Sequence, residues 1–200
     1  MRQIIFVFCL LFSGIQSVNA QSSCLPDGIS FYNQAQIDNF PSMYQGCAVI
    51  EGYVNIDTRN AYNVDSLIQI TLIQGGLYMS ENNITDLTGF ANLTGIYGNA
   101  WFSENSFSSF NGMESLGYIG GTLGVSESYE LESLDGLQNL ELIGGDLDLE
   151  ENYNLVNIDA LSGLDSLGGS LILEDLPRLH HLDALLGRET IYGSLVVDGL

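Results

Sequence analysis

The sequence predicts a repeat solenoid, mainly β with short helical turns, and three observations carry that prediction. An apolar residue, one or two glycines and then an alternating stretch open together at Ile50, Ile73, Ile96, Ile119, Ile143, Leu167 and Ile191, at intervals of 23 or 24 residues. A fixed period in the low twenties marks stacked coils that cannot bury their apolar faces singly. The stretch after each glycine alternates with period two, the mark of a strand with one face buried. A second apolar series then follows with spacing near three, which suits a 3₁₀ or short α turn laying one ridge on the core.

Residues 1–20 stand apart from this pattern. Arg2, the apolar run Ile4–Phe12 and the small residues of Val18-Asn19-Ala20 predict a signal peptide cleaved before Gln21. The run is too short to span a bilayer, and no later stretch in the sequence is long and apolar enough to do so. Removing the leader leaves Arg59, Arg178 and Arg188 against 25 Asp and Glu. Such a surface repels phosphate backbones and anionic membranes, so nucleic acid is excluded as a partner.

Residues 21–49 are expected to form an N-terminal cap. Pro26-Asp27-Gly28 signals a turn, and Ile37-Asp38-Asn39-Phe40-Pro41 a short helix ending at the proline. Cys24 and Cys47 are the two cysteines left after cleavage, an even number in an exported chain, and they predict a disulfide pinning this segment over the first coil.

Residues 50–200 are read as seven coils, the last incomplete. The inward strand positions are Val54 and Ile56, Leu77 and Met79, Ala100 and Phe102, Leu123 and Val125, Leu147 and Leu149, Leu171 and Leu173, Leu195 and Val197. Every one is apolar. The glycine column Gly52, Gly75, Gly98, Gly121, Gly145, Gly169 and Gly193 calls for a tight corner, either at positive φ or where adjacent backbones crowd. The ridge series runs Val64-Leu67-Ile70, Leu87-Phe90-Leu93, Phe110-Met113-Leu116, Leu134-Leu137-Leu140 and Ile158-Leu161-Leu164. Asn82, Asn105 and Asn152 share one corner position, where stacked amides can satisfy unpaired backbone groups. Arg59, Ser128 and Leu176 stand at the equivalent places, so the ladder reads as incomplete. The sequence stops within a coil after Val197-Asp198-Gly199-Leu200, and a continuation past residue 200 is expected.

The stretch Gly46-Cys47-Ala48-Val49-Ile50-Glu51-Gly52-Tyr53-Val54-Asn55-Ile56 resembles the opening of receptor L-domains, the ligand-binding modules of insulin- and EGF-receptor ectodomains. Later copies such as LDGLQNLELIGGDLDLEENYNL resemble the leucine-rich, L-domain-like repeats of secreted bacterial surface proteins. The resemblance implies a right-handed parallel β-solenoid and a role in binding or adhesion.

A ligand has one obvious place, the outward strand positions. Their middle column reads Asn55, Tyr78, Trp101, Gly124, Asp148, Ile172, Val196. Tyr53, Tyr78 and Trp101, flanked by Asn55 and Asn99, form a candidate contact patch for a protein or glycan, because exposed aromatics supply contact area at low entropy cost. The alternative is ordinary cross-strand packing, or cover by a loop. Asp146, Asp148 and Glu150 are a weak candidate for calcium, which takes several oxygens, although no EF-hand or nonapeptide calcium pattern accompanies them. The same carboxylates, with Glu174, are the residues that a solenoid lyase or glycosidase would use. Nothing supplies a convergent base with an oxyanion donor, His180 and His181 diverge as chain neighbours, and no phosphate loop or zinc spacing occurs. The sequence therefore reads as a non-enzymatic, cofactor-free recognition protein, secreted or at the cell surface, with an acidic carbohydrate-active enzyme as the alternative.

Overall fold

A computed structural model of the chain describes residues 22–185 and 190–199. The expected leader at residues 1–20 lies outside the described residues. The chain coils into a parallel solenoid with two eight-stranded sheets. The broad sheet runs in coil order through Ile29–Phe31, Val54–Asp57, Leu77–Ser80, Ala100–Ser103, Leu123–Ser126, Leu147–Glu150, Leu171–Glu174 and Leu195–Asp198. The narrow sheet begins with Ser22–Cys24 and Cys47–Ile50 and continues in two-residue strands, among them Leu72–Ile73, Tyr118–Ile119 and Leu142–Ile143.

The seven start points fall in one register line. Ile50 pairs with Ile73, Ile73 with Ile96, and the line continues through Ile119, Ile143 and Leu167 to Ile191. The alternating stretches pair equally cleanly, with Val54, Leu77, Ala100, Leu123, Leu147, Leu171 and Leu195 in one row. Two sheets, not one, result. The sequence signalled only the broad one, because a two-residue strand has no alternation to read.

The core lies between the sheets and under the ridge turns. All predicted inward residues are buried as far as Leu173, whereas Leu195 and Val197, in the last described coil, are exposed. The ridge forms 3₁₀ helices at Asp65–Leu67, Thr88–Phe90, Asp159–Gly163 and Asp183–Leu185. In the two coils between, Gly112 and Gly136 at φ 103° and 109° replace them with plain turns.

The glycine column answers the question that the sequence left open. None of the seven is at positive φ; the corner backbones simply touch. A Cβ on Gly75 would lie 2.5 Å from the Gly52 carbonyl carbon, and one on Gly193 would lie 2.5 Å from that of Gly169. The same proximity lets Gly98 N–H donate to Gly75 O at 2.9 Å and Gly169 N–H to Gly145 O at 2.7 Å.

The N-terminal segment contributes a strand to each sheet. Ser22–Cys24 pairs with Cys47–Ile50, and Ile29–Phe31 pairs with Val54–Asp57. Between them and the first coil lie α1 (Gln34–Asp38), capped by the Asn33 side chain, and α2 (Phe40–Met43). The expected single helix ending at Pro41 is thus corrected: Pro41 sits in the first turn of α2, where its missing N–H costs nothing. Cys24 and Cys47 form the predicted disulfide, with Cα atoms 5.7 Å apart. Bridging a separation of 23 residues, it contributes about 3 kcal/mol by restricting the unfolded chain. Among the described residues, no helix is long and apolar enough to cross a membrane.

Candidate functional site

The outward face of the broad sheet is set by register. Asn55, Tyr78, Trp101 and Gly124 are successive partners in one row, so three of the five predicted contact residues lie side by side. Tyr53 and Asn99 occupy the neighbouring column with Gly76 between them. Tyr53 is 42% and Tyr78 36% exposed, while Trp101 is half-buried.

Each aromatic ring is seated on a glycine. A Cβ on Gly76 would meet the Tyr78 ring at 2.6 Å, so Tyr78 leans across Gly76 into the gap between Tyr53 and Asn99. Gly28 seats the edge of Tyr53, again 2.6 Å from where its Cβ would be, and Trp101 lies directly over Gly124. These three glycines were not recognised as part of the patch in the sequence. Gly124 could have been, since it is the one glycine in the middle column. Seated this way, the Tyr53 and Tyr78 rings stay exposed at the surface of the sheet, where they offer contact area to a sugar ring or an apolar side chain.

The Phe102, Phe107 and Phe110 side chains brace this strand from inside, all at most 1% exposed. Phe102 and Phe110 meet edge to face at a centroid distance of 5.0 Å. The small Ala100 on the same strand leaves room for them where the neighbouring coils place Leu77 and Leu123.

Asn99 has a structural task. Its Oδ1 accepts the Thr122 N–H at 3.0 Å, Thr122 Oγ1 accepts from Asp146 N–H at 3.1 Å, and Asp146 Oδ1 accepts from Ser170 N–H at 2.6 Å. The chain of bonds ends with Ser170 Oγ accepting from Ser194 N–H. From the third coil onward this column staples each coil to the next, and it engages one oxygen of the calcium candidate Asp146. Among the described residues, no group of three or more His, Cys, Asp or Glu is placed to hold a metal ion.

Asp148 and Glu150 stand on one strand next to Glu174 of the following coil. Partial burial, then the charge of Glu150, pushes the Asp148 carboxyl up from its usual range to about 6. Asp148 Oδ1 is buried without a hydrogen-bond partner. Its folded-state value lies above the unfolded one, so Asp148 favours the fold below pH ~4 and this contribution is lost as pH rises through about 6. Asp148→Asn is therefore expected to stabilise the protein at pH 7 by about 1 kcal/mol, after discounting for solvent screening, and to flatten stability between pH 4 and 6. Urea titrations of both proteins across that range check it; parallel pH profiles would refute it.

The corner after each broad-sheet strand from Leu77–Ser80 to Leu171–Glu174 holds what the sequence did not signal. Glu81, Glu104, Glu127, Glu151 and Asp175 all adopt positive φ, between 48° and 53°. The left-handed region disfavours such side chains, but each N–H pairs with the next coil, as in Glu81 N–H to Ser103 O at 3.1 Å. Just inside runs the polar ladder. Ser128, read from the sequence as a break in it, is a working rung: it is fully buried, its Oγ accepts from Asn105 N–H at 3.2 Å, and its own N–H donates to Asn152 Oδ1 at 3.1 Å.

No curated protein and no solved structure matches the chain. Residues 46–110 match the family described as Receptor L domain, a ligand-binding and non-enzymatic module, and that stretch contains all five residues of the aromatic patch, Tyr53, Asn55, Tyr78, Asn99 and Trp101.

Proposed function

We propose that the protein is a non-enzymatic recognition module, secreted or held at a cell surface, which binds a protein or glycan partner through the outward face of its broad sheet. One observation carries this reading: Tyr53, Tyr78 and Trp101 lie on glycine seats on a rigid parallel sheet, within the stretch that is similar to receptor L-domains. A rigid sheet loses little entropy on binding, and aromatic anchors concentrate binding energy. The match to a ligand-binding family and the disulfide support an extracellular setting.

Trp101 is the chain's single tryptophan, so its emission reports on the patch directly. Screening surface oligosaccharides and receptor ectodomains by tryptophan fluorescence and calorimetry is expected to yield a ligand that shifts this emission. Trp101→Ala and Tyr78→Ala should each weaken that ligand by about 30-fold, the loss typical of a central aromatic anchor. Ligand binding that is indifferent to both substitutions would refute the proposal.

The raised Asp148 carboxyl favours a second reading, a carbohydrate-active enzyme with Asp148 as general acid and Glu150 beside it. Turnover of a polysaccharide panel that disappears in both Asp148→Asn and Glu150→Gln would select this reading over the first.

A further inference from the structure

The corner column of left-handed acids carries a second surface, separate from the sheet face. At its N-terminal end the chain supplies its own cation. Arg59 Nη2 lies 3.1 Å from Glu81 Oε2 and 4.0 Å from Glu104 Oε2, so one guanidinium spans the carboxylates of two successive coils. These groups line a cavity of about 190 Å³ with Asn83 and Ser106. One coil further on, Glu104, Glu127 and Glu130 line a second cavity, of about 220 Å³, with Ser106 and Tyr129. Among the described residues, Arg59 is the one cation within salt-bridge reach of the column. Arg178 is turned to Asn154 Oδ1 at 2.8 Å.

The wall of the second cavity differs from the first by an aromatic surface. Tyr129 and Tyr153 stack in parallel, with centroids 5.6 Å apart and planes 7° apart, and are 46% and 43% exposed. Their hydroxyls donate to Glu127 and Glu151, at 3.4 and 3.1 Å. These bonds fix the rings beside the carboxylates. A fixed phenol face next to paired carboxylates recognises a planar cation, which stacks on the ring while its N–H groups meet the oxygens. The Arg59 slot shows the carboxylate half of that recognition, already satisfied from within the chain.

We infer that the Glu104–Glu127–Tyr129 slot, continued by Tyr153, receives an arginine side chain from a basic segment of a protein partner. The strongly negative charge of the chain favours the same partner, because it draws a basic segment to this edge before the slot is filled. This surface is independent of the sheet-face patch, and either can fail alone.

The test uses a fluorescein-labelled peptide of alternating arginine and glycine, with lysine and glutamine versions as comparisons, followed by anisotropy at about 0.15 M ionic strength. The arginine peptide should bind more tightly than the lysine peptide, and the glutamine peptide should not bind. Tyr129→Ala and Glu127→Gln should each weaken the arginine peptide about tenfold. Tyr129→Phe, which keeps the ring, should retain most of the affinity. Glu141→Gln, an exposed acid beside the narrow sheet, and Trp101→Ala, on the sheet face, should leave it unchanged. All these substitutions are at exposed or half-buried positions, and equal melting temperatures confirm that each variant is folded. An equal loss with Glu141→Gln would mean diffuse charge attraction and overturn the inference. So would indifference to Tyr129→Ala, or Tyr129-dependent binding of a neutral oligosaccharide in place of the peptide.

Discussion

Phe110→Ala is expected to cost about 3–5 kcal/mol, the range for emptying a fully buried aromatic site. Phe102, Phe107 and Phe110 form a closed triangle of edge-to-face contacts, with centroid distances of 5.9, 5.0 and 5.1 Å, and none is more than 1% exposed. Truncating one removes two of the three aromatic contacts and leaves a void that stacked, mutually hydrogen-bonded coils cannot collapse to fill. For a chain of this size the melting temperature should fall by about 10 °C. Because each coil touches only its neighbours, the damage should stay local and divide the array. Hydrogen exchange should show lost protection in Ala100–Ser103 and its flanking strands, with the first and last coils less affected. Phe110→Leu, which supplies the residue that Leu87 and Leu134 provide in the adjoining coils, should recover most of the stability. A loss below about 1 kcal/mol would mean that the triangle is not tightly packed. Since Trp101 stands on this strand, the same substitution should also blur its fluorescence response to a ligand.

How much of this was legible in the sequence depends on the kind of signal each element leaves. The broad sheet was readable from Val54–Asp57 onward, because alternation over four residues, repeated at 23 or 24, fixes both the strand and its register. The narrow sheet was not, because strands as short as Leu72–Ile73 hold together through hydrogen bonds between coils and are too short to alternate, although their apolar column from Ile50 to Ile191 repeats with the same period. The expected aperiodic N-terminal segment proved to supply a strand to each sheet. Its repeat is obscured by α1, α2 and a register shift between Ser22 and Ser23. Arginine at position 59 breaks the ladder as expected, but Ser128 does not, since a hydroxyl both accepts and donates at one place and so serves as a shorter rung.

The candidate site was legible to the same depth. Column positions follow from period, so Asn55, Tyr78 and Trp101 were correctly placed as neighbours. Ring orientation does not follow from period. It depends on which neighbour lacks a Cβ, and that is visible only once Gly76 and Gly124 are set beside the rings they seat. Asn99 was read as a contact residue from its column alone, while its Oδ1 is engaged by the next coil's Thr122 N–H. The left-handed acids left no mark, since glutamate is not a residue that advertises positive φ. Their conformation is imposed by the inter-coil bonds that pull each corner shut.

The ladder just inside that corner gives the second large effect. Asn152→Ala is expected to destabilise by about 3–4 kcal/mol, because the amide is the sole side-chain partner of buried backbone groups in two coils. Its Oδ1 accepts the Ser128 N–H at 3.1 Å, and its Nδ2 donates to Val125 O at 2.9 Å and Glu150 O at 3.0 Å. With Asn152 fully buried, water does not replace the amide without opening the corner. Each group left without its partner costs about 1–3 kcal/mol, and partial relaxation keeps the total below the sum. Asn152→Leu separates the two contributions. It restores the volume but none of the bonds, and Leu176 shows that the column accepts leucine one coil later. If volume dominates, Asn152→Leu will approach wild-type stability in urea titration; if the hydrogen bonds dominate, it will be as unstable as Asn152→Ala. The geometry favours the second outcome, because the corner at Glu127 turns at φ 50° and its Ser128 N–H points inward at the Asn152 amide oxygen. Loss of that bond should also release the strain held in the corner, so hydrogen exchange at Glu127 and Ser128 should rise more than at Val125, whose neighbours remain paired within the broad sheet.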